Sequence, residues 1–343
     1  MVPRCKDRDG TEEIAMDRRI KIYLVGVLLG CILLAVMPRP FGRTERERDE
    51  SRREPHGLYP IVLTDGLGRE ITVDQPPARL ISLAPSVTEI LFALGAGERL
   101  IANTRFCNYP EAALGVFKIG DMRHPDIETM VQLRPGMVVG TVLSPLSLYE
   151  RMEGVGLVSV AFEHAGLEGV LSDIRILGQV VGLPGEALRL TRRIEARRDR
   201  VLAAVAARQG LKRPRVILLY DLEQLSSAGK NSWPGDFIEM CGGENIAAQA
   251  QSAWPRLSPE ALVASDPEVV IFAVESDERS RRAAELAVAA LPVHRFWAHT
   301  AAVRENRVVR VNKALFDVPG PRMVDALEAV AGAVHPDLFV AAR

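Results

Sequence analysis

Arg123 and His124 stand side by side in Gly120–Asp121–Met122–Arg123–His124, where a guanidinium could pair with ligand carboxylates and an imidazole could coordinate a ligand's metal. Close by, Glu128 sits in a short acidic segment, and Glu260 holds the same place in a second segment of the same design. The two segments are GDMRHPDIETMVQLRPGMVV at 120–139 and SAWPRLSPEALVASDPEVVIFA at 252–273. Each has a turn, a short helix carrying a Glu, a Pro, and a buried strand. Residues for covalent or hydrolytic chemistry are not patterned: there is no GxSxG elbow, Walker loop, GxGxxG or HExxH. His294 and His299 are five apart, so they would not share a helix face as a metal pair. The expectation is binding without catalysis and without a cofactor.

The elements that position these residues also repeat. FALGAGERLIA at 92–102 is echoed by IEMCGGENIAA at 238–248, and RLISL at 79–83 by RVILLY at 215–220. One α/β plan used twice predicts two similar lobes with a ligand cleft between them. Residues 61–73 read as a hairpin. Residues 79–97 read as strand, tight loop and helix, with Ser86 and Glu89 in capping-box spacing. Apolar strands at 137–140 and 157–162 continue the βαβ alternation of a parallel sheet. Residues 168–209 are helical apart from a break at Gly182–Leu183–Pro184–Gly185. The run 186–208 lacks Gly and Pro, so it reads as a rigid connector that allows only small opening motions. In the second lobe the loop after RVILLY carries Ser226, Ser227, Gly229, Asn231, Ser232, Trp233, Pro234 and Gly235. The loops after strands at 84–86, 104–110, 120–124, 141–147 and 221–235 are the cleft candidates.

Composition limits the function classes. The chain has 343 residues and a formal net charge of -1, which gives no nucleic-acid footprint. Cys107 and Cys241 fall in different lobes and read as buried thiols. Residues 22–37 carry no charge and follow Arg18, Arg19 and Lys21, as in a signal peptide or signal anchor, and Met16 is an alternative start. LLGC at 28–31 partly matches a lipoprotein box, which makes Cys31 a lipidation candidate. The apolar run that continues past Cys31 fits an uncleaved anchor better. The organisation read is a membrane-directed segment at 1–38, a disordered charged linker at 39–58, an α/β lobe at 59–167, a backbone helix at 168–213 and a second α/β lobe at 214–341.

RLISLAPSVTEILFALGAGERLIA, CNYP at 107–110, DIETMVQLRPGMVV, CGGENIA at 241–247, WPRLSPEALVASDPEVVI and PGPR at 319–322 together resemble the periplasmic receptors of ABC importers for cobalamin, iron–siderophore or haem. The resemblance covers about residues 59–336 and is nearest to cobalamin receptors. It implies a monomeric extracytoplasmic receptor that hands a corrinoid, haem or ferric siderophore to an ABC permease. It also implies that Glu128 and Glu260 dock on arginines of that permease, and that Phe106, Met122, Trp233 and Phe316 lie in or near the ligand cleft with Arg123 and His124. Trp254, before Pro255, reads as a packing residue. Met122, Thr141 and Leu315 fall where cobalamin receptors carry tryptophans, so the ligand within this class stays open. Two other readings are carried forward. One is a chelatase-like enzyme in which His124, His164 or Glu163 converge. The other is a membrane-tethered ligand sensor on the same scaffold.

Overall fold

The computed structural model describes residues 59–208, 210 and 212–338. The segment 1–38, the linker 39–58, Met16 and Cys31 lie outside the described residues. The chain enters on the expected hairpin, β1 (Ile61–Thr64) antiparallel to β2 (Glu70–Val73). Asp65 holds its turn. One carboxylate oxygen accepts from the Leu67 and Arg69 N–H groups at 3.0 and 2.9 Å, and the other from the Arg69 guanidinium at 2.6 Å and the Ala161 N–H at 3.1 Å.

The first lobe then runs β3 (Leu80–Ser82), α1 (Pro85–Ala93), β4 (Leu100–Asn103), β5 (Phe117–Lys118), α2 (Ile127–Leu133), β6 (Met137–Thr141), α3 (Leu146–Gly154) and β7 (Ser159–Phe162). Its strands are all parallel, in the order β5-β4-β3-β6-β7. Two helices follow, α4 (Gly166–Val180) and α5 (Pro184–Ala206). The break falls at Gly182, whose φ of 72° suits glycine, and Pro184 starts α5 where no N–H is needed. The second lobe runs β8 (Arg215–Leu219), α6 (Trp233–Met240), β9 (Glu244–Asn245), α7 (Pro259–Ser265), β10 (Val269–Val274), α8 (Glu278–Ala290), α9 (Ala301–Arg304), β11 (Val308–Asn312), α10 (Ala314–Asp317) and α11 (Met323–Val334). Its parallel order is β11-β10-β8-β9. Reversed, this is the β4-β3-β6-β7 order of the first lobe, so the repeat seen in sequence is a repeat of topology.

Alternation along the strands distributes the core. Leu80, Met137, Val139, Val216, Leu218, Val269 and Ile271 face one continuous apolar cluster, which also takes in α4, α5 and α11. Ile81 and Val138 face a separate cluster in the first lobe, and Ile217, Leu219 and Val270 a separate one in the second. The inner faces of both sheets thus share one core across the connecting helices. Arg197 of α5 adds polar cross-links to α11, through Glu328 at 2.9 Å and Asp325 at 2.6 Å. Arg198 pairs with Glu168 of α4.

Candidate ligand cleft

In parallel sheets the loops at the carboxyl ends of the strands gather the functional residues. Here those ends are joined across the lobes by Arg322, which precedes α11. Its guanidinium binds both oxygens of Glu89 in α1, Nε to Oε2 at 2.9 Å and Nη2 to Oε1 at 2.5 Å. Its other face lies 4.0 Å from the ring centre of Tyr109. The Glu89 side chain is 3% exposed and that of Arg322 16%. Burial pushes the Glu89 carboxyl above its ordinary value, and the Arg322 contact offsets only part of that rise. Gly320 packs against this junction: a Cβ there would sit 3.4 Å from Glu89 Oε2.

The capping-box reading of Ser86 and Glu89 is corrected. The helix cap is Ala84 without a side-chain bond, and Pro85 opens the helix instead. Glu89 is spent on Arg322. The Ser86 hydroxyl lies 2.8 Å from His164 Nε2, and His164 Nδ1 lies 2.7 Å from Asp173 Oδ2. A neutral imidazole satisfies both contacts, donating from Nδ1 and accepting at Nε2. This buried relay ties α1 and α4 to the loop after β7. His164 is therefore engaged inside the first lobe, while Glu163 and His124 are exposed. The convergence of His124, His164 and Glu163 needed by the chelatase reading does not occur, and among the described residues no three His, Cys, Asp or Glu side chains form a metal-holding group. Cys107 and Cys241 are free and buried, as read from the sequence.

Of the first-lobe ligand candidates, Phe106 is 52% exposed and lies under the Arg105 guanidinium at 5.1 Å. Arg123 and His124 are exposed, and their loop is fixed by Asp121, whose Oδ1 accepts both backbone N–H groups at 2.9 Å. Those N–H groups hold the Asp121 carboxyl below its usual range. Met122 is half-buried, and its carbonyl accepts from Ser144 Oγ at 2.7 Å.

In the second lobe Trp233 is half-buried at the start of α6 and stacks on Phe316, with centroids 6.1 Å apart and planes 2° apart. Phe316 is 1% exposed and backs the Trp233 ring from the protein side. It fills the core behind Trp233, because α10 turns it inward beside Tyr220, whose hydroxyl reaches its carbonyl at 3.5 Å. Trp254 corrects the packing reading: it is 53% exposed and stands edge-on to Tyr220 at 5.8 Å. Tyr220 was missed in the sequence, although its place one residue beyond β8 was the available signal. A cavity of about 480 Å³ between α5, α11 and the amino end of β8 lies at the other end of this sheet. Its cations are engaged, Arg208 by Asp337, Lys212 by Glu268 and Arg213 by Glu239.

The two glutamates sit on near-identical scaffolds. Asp126 caps α2 by accepting from the Thr129 N–H, and Ser258 caps α7 by accepting from the Ala261 N–H. Glu128 and Glu260 are each the second helical residue, and both are exposed. Each helix has seven residues and ends at a left-handed non-glycine residue, Arg134 or Asp266, followed by Pro. An arginine from the central strand region closes each end. Arg79 Nη2 donates to the Leu133 carbonyl at 2.6 Å, and Arg215 Nε donates to the Ser265 and Asp266 carbonyls at 2.9 and 2.8 Å. Glu260's own backbone N–H and the Ser258 hydroxyl, helped by Arg295, hold its carboxyl below the usual range.

Two like α/β lobes on shared helices, with loops gathered at the strand ends, define the two-lobe class of solute-binding proteins. The chain belongs to the periplasmic binding protein family, whose pattern matches residues 80–315. It is 29% identical over 282 residues to a cobalamin-binding protein of Halobacterium salinarum, covering 81% of this chain and 74% of that one. It is 24% identical over 319 residues to an uncharacterised ABC transporter substrate-binding lipoprotein of Bacillus subtilis, covering 92% and 98%. The fold superposes on a periplasmic haem-binding protein of Pseudomonas aeruginosa with a TM-score of 0.64 at 27% identity, covering 76% of this chain and 94% of the other. Members of the family are extracytoplasmic solute-binding proteins of ABC importers.

Proposed function

We propose that this chain captures a corrinoid, haem or ferric siderophore between its lobes and delivers it to an ABC permease, with no turnover of the ligand. The observation that carries the ligand class is the aromatic group at the carboxyl end of the second sheet, Trp233, Tyr220 and exposed Trp254. Phe106 and the basic Arg123–His124 loop stand at the carboxyl end of the first. Flat rings pair with large conjugated or chelating ligands, and Arg123 with their carboxylates. Glu128 and Glu260 serve as docking carboxylates for permease arginines, one per lobe. The N-terminal segment holds a monomeric receptor at the outer face of the cytoplasmic membrane, either as an uncleaved anchor or through Cys31.

One preparation tests this. The full chain should sediment with membranes, and the compact unit Pro55–Arg343 should stay soluble. Titrating the soluble unit with cyanocobalamin, cobinamide, haem and ferric siderophores should quench tryptophan emission saturably for one of them, with the compound recovered unchanged. Binding of none, or chemical conversion of the bound compound, would overturn the reading.

A further inference from the structure

The docking glutamates have matched neighbours. One turn beyond Glu128 in α2 stands Val131, and one turn beyond Glu260 in α7 stands Val263. Residues three apart on a helix are surface neighbours. The two valines are exposed to nearly the same degree, 40% and 38%, and the buried apolar clusters include neither. The helices are anchored from behind by Met130 and Leu262, each fully buried. Other positions on the pair of helices diverge, Thr129 against Ala261 and Gln132 against Ala264. A single exposed valine is unremarkable. The same valine beside the same carboxylate, on two helices of the same length, each with a side-chain cap and a closing arginine, points to a surface read twice by one partner.

Resting on the docking role given to Glu128 and Glu260 above, we infer that each docking patch is a Glu–Val pair. The occupant is the membrane part of an ABC importer, which must present two similar patches, each an arginine flanked by an apolar side chain. The helices support this placement. Each leads by its C-terminus into the amino end of a parallel strand, so its first turn lies at the carboxyl ends, beside the cleft loops. An apolar contact next to an exposed ion pair excludes water from it, and that strengthens a charge pair which alone would contribute little.

The test uses the full chain and its ABC importer reconstituted in liposomes, titrating receptor and recording stimulated ATP hydrolysis. Val131→Ser and Val263→Ser should each raise the half-maximal receptor concentration about fivefold, and the pair about twentyfold. The thermal midpoint should not move, because neither side chain is in the core. Val155→Ser, at a similarly exposed position after α3 (50% exposed), should leave the titration unchanged. A double valine variant that titrates like the parent, while Glu128→Ala and Glu260→Ala lose stimulation, overturns the pairing and keeps the docking carboxylates. Glutamate variants that also titrate like the parent overturn the docking role itself.

Discussion

Glu89 shows how one residue's meaning depends on what folds against it. Three residues after Ser86 it has the spacing of a cap partner, yet its carboxylate is buried on Arg322 from 233 positions away. Removing one partner of a buried pair strands the other charge. Arg322→Ala should therefore cost about 3 kcal/mol in denaturant unfolding, and the double Glu89→Leu/Arg322→Leu variant less than the sum of the single changes. The sign of the pH dependence follows from the raised Glu89 value. A carboxyl whose folded pKa is raised contributes its stability below the unfolded value and loses it as pH rises through the folded one. Without Arg322 only the raising influences, burial and the Asp325 charge, act on Glu89, so the deficit of Arg322→Ala should be smallest in acid and grow toward neutral pH. A deficit that is flat with pH would refute this account. Phe316 and Trp254 make the same point. Both are aromatic and follow a strand, but α10 turns one into the core and the loop before Pro255 leaves the other in solvent.

At the scale of elements, the seven-residue helices α2 and α7 are too short to hold themselves together in water. They persist because both ends are satisfied: a side-chain cap at the start, a left-handed residue at the end, and Arg79 or Arg215 bonded to the last carbonyls. Arg79→Ala and Arg215→Ala should each cost about 1 kcal/mol and speed amide exchange in the last turn of their own helix, leaving the other helix protected. Equal exchange in variant and parent would show that the caps alone suffice. The short helices and the prolines that follow them were legible in the sequence, because Pro135 and Pro267 act on neighbours a few residues away. The closing arginines were not, because Arg79 lies 54 residues from Leu133 and only the sheet brings them together.

For the whole molecule, the one apolar cluster that runs from the first sheet through α4, α5 and α11 to the second leaves little freedom for lobe rotation. Spin labels placed on α2 and α7 should keep their separation within about 3 Å on ligand binding, and a shift of about 10 Å or more would overturn the rigid reading. By itself the sequence determined the hairpin, the alternation of strand and helix, the doubled plan and the paired glutamates, because periodicity and turn residues act locally and a repeat is visible wherever it occurs. The tertiary structure decided which aromatic rings reach solvent, that His164 is tied up by Ser86 and Asp173, and that Glu89 and Arg322 join the lobes. Each of those outcomes depends on contacts between residues far apart in the chain, and neither residue type nor spacing encodes which way a side chain turns once the sheets have closed over it.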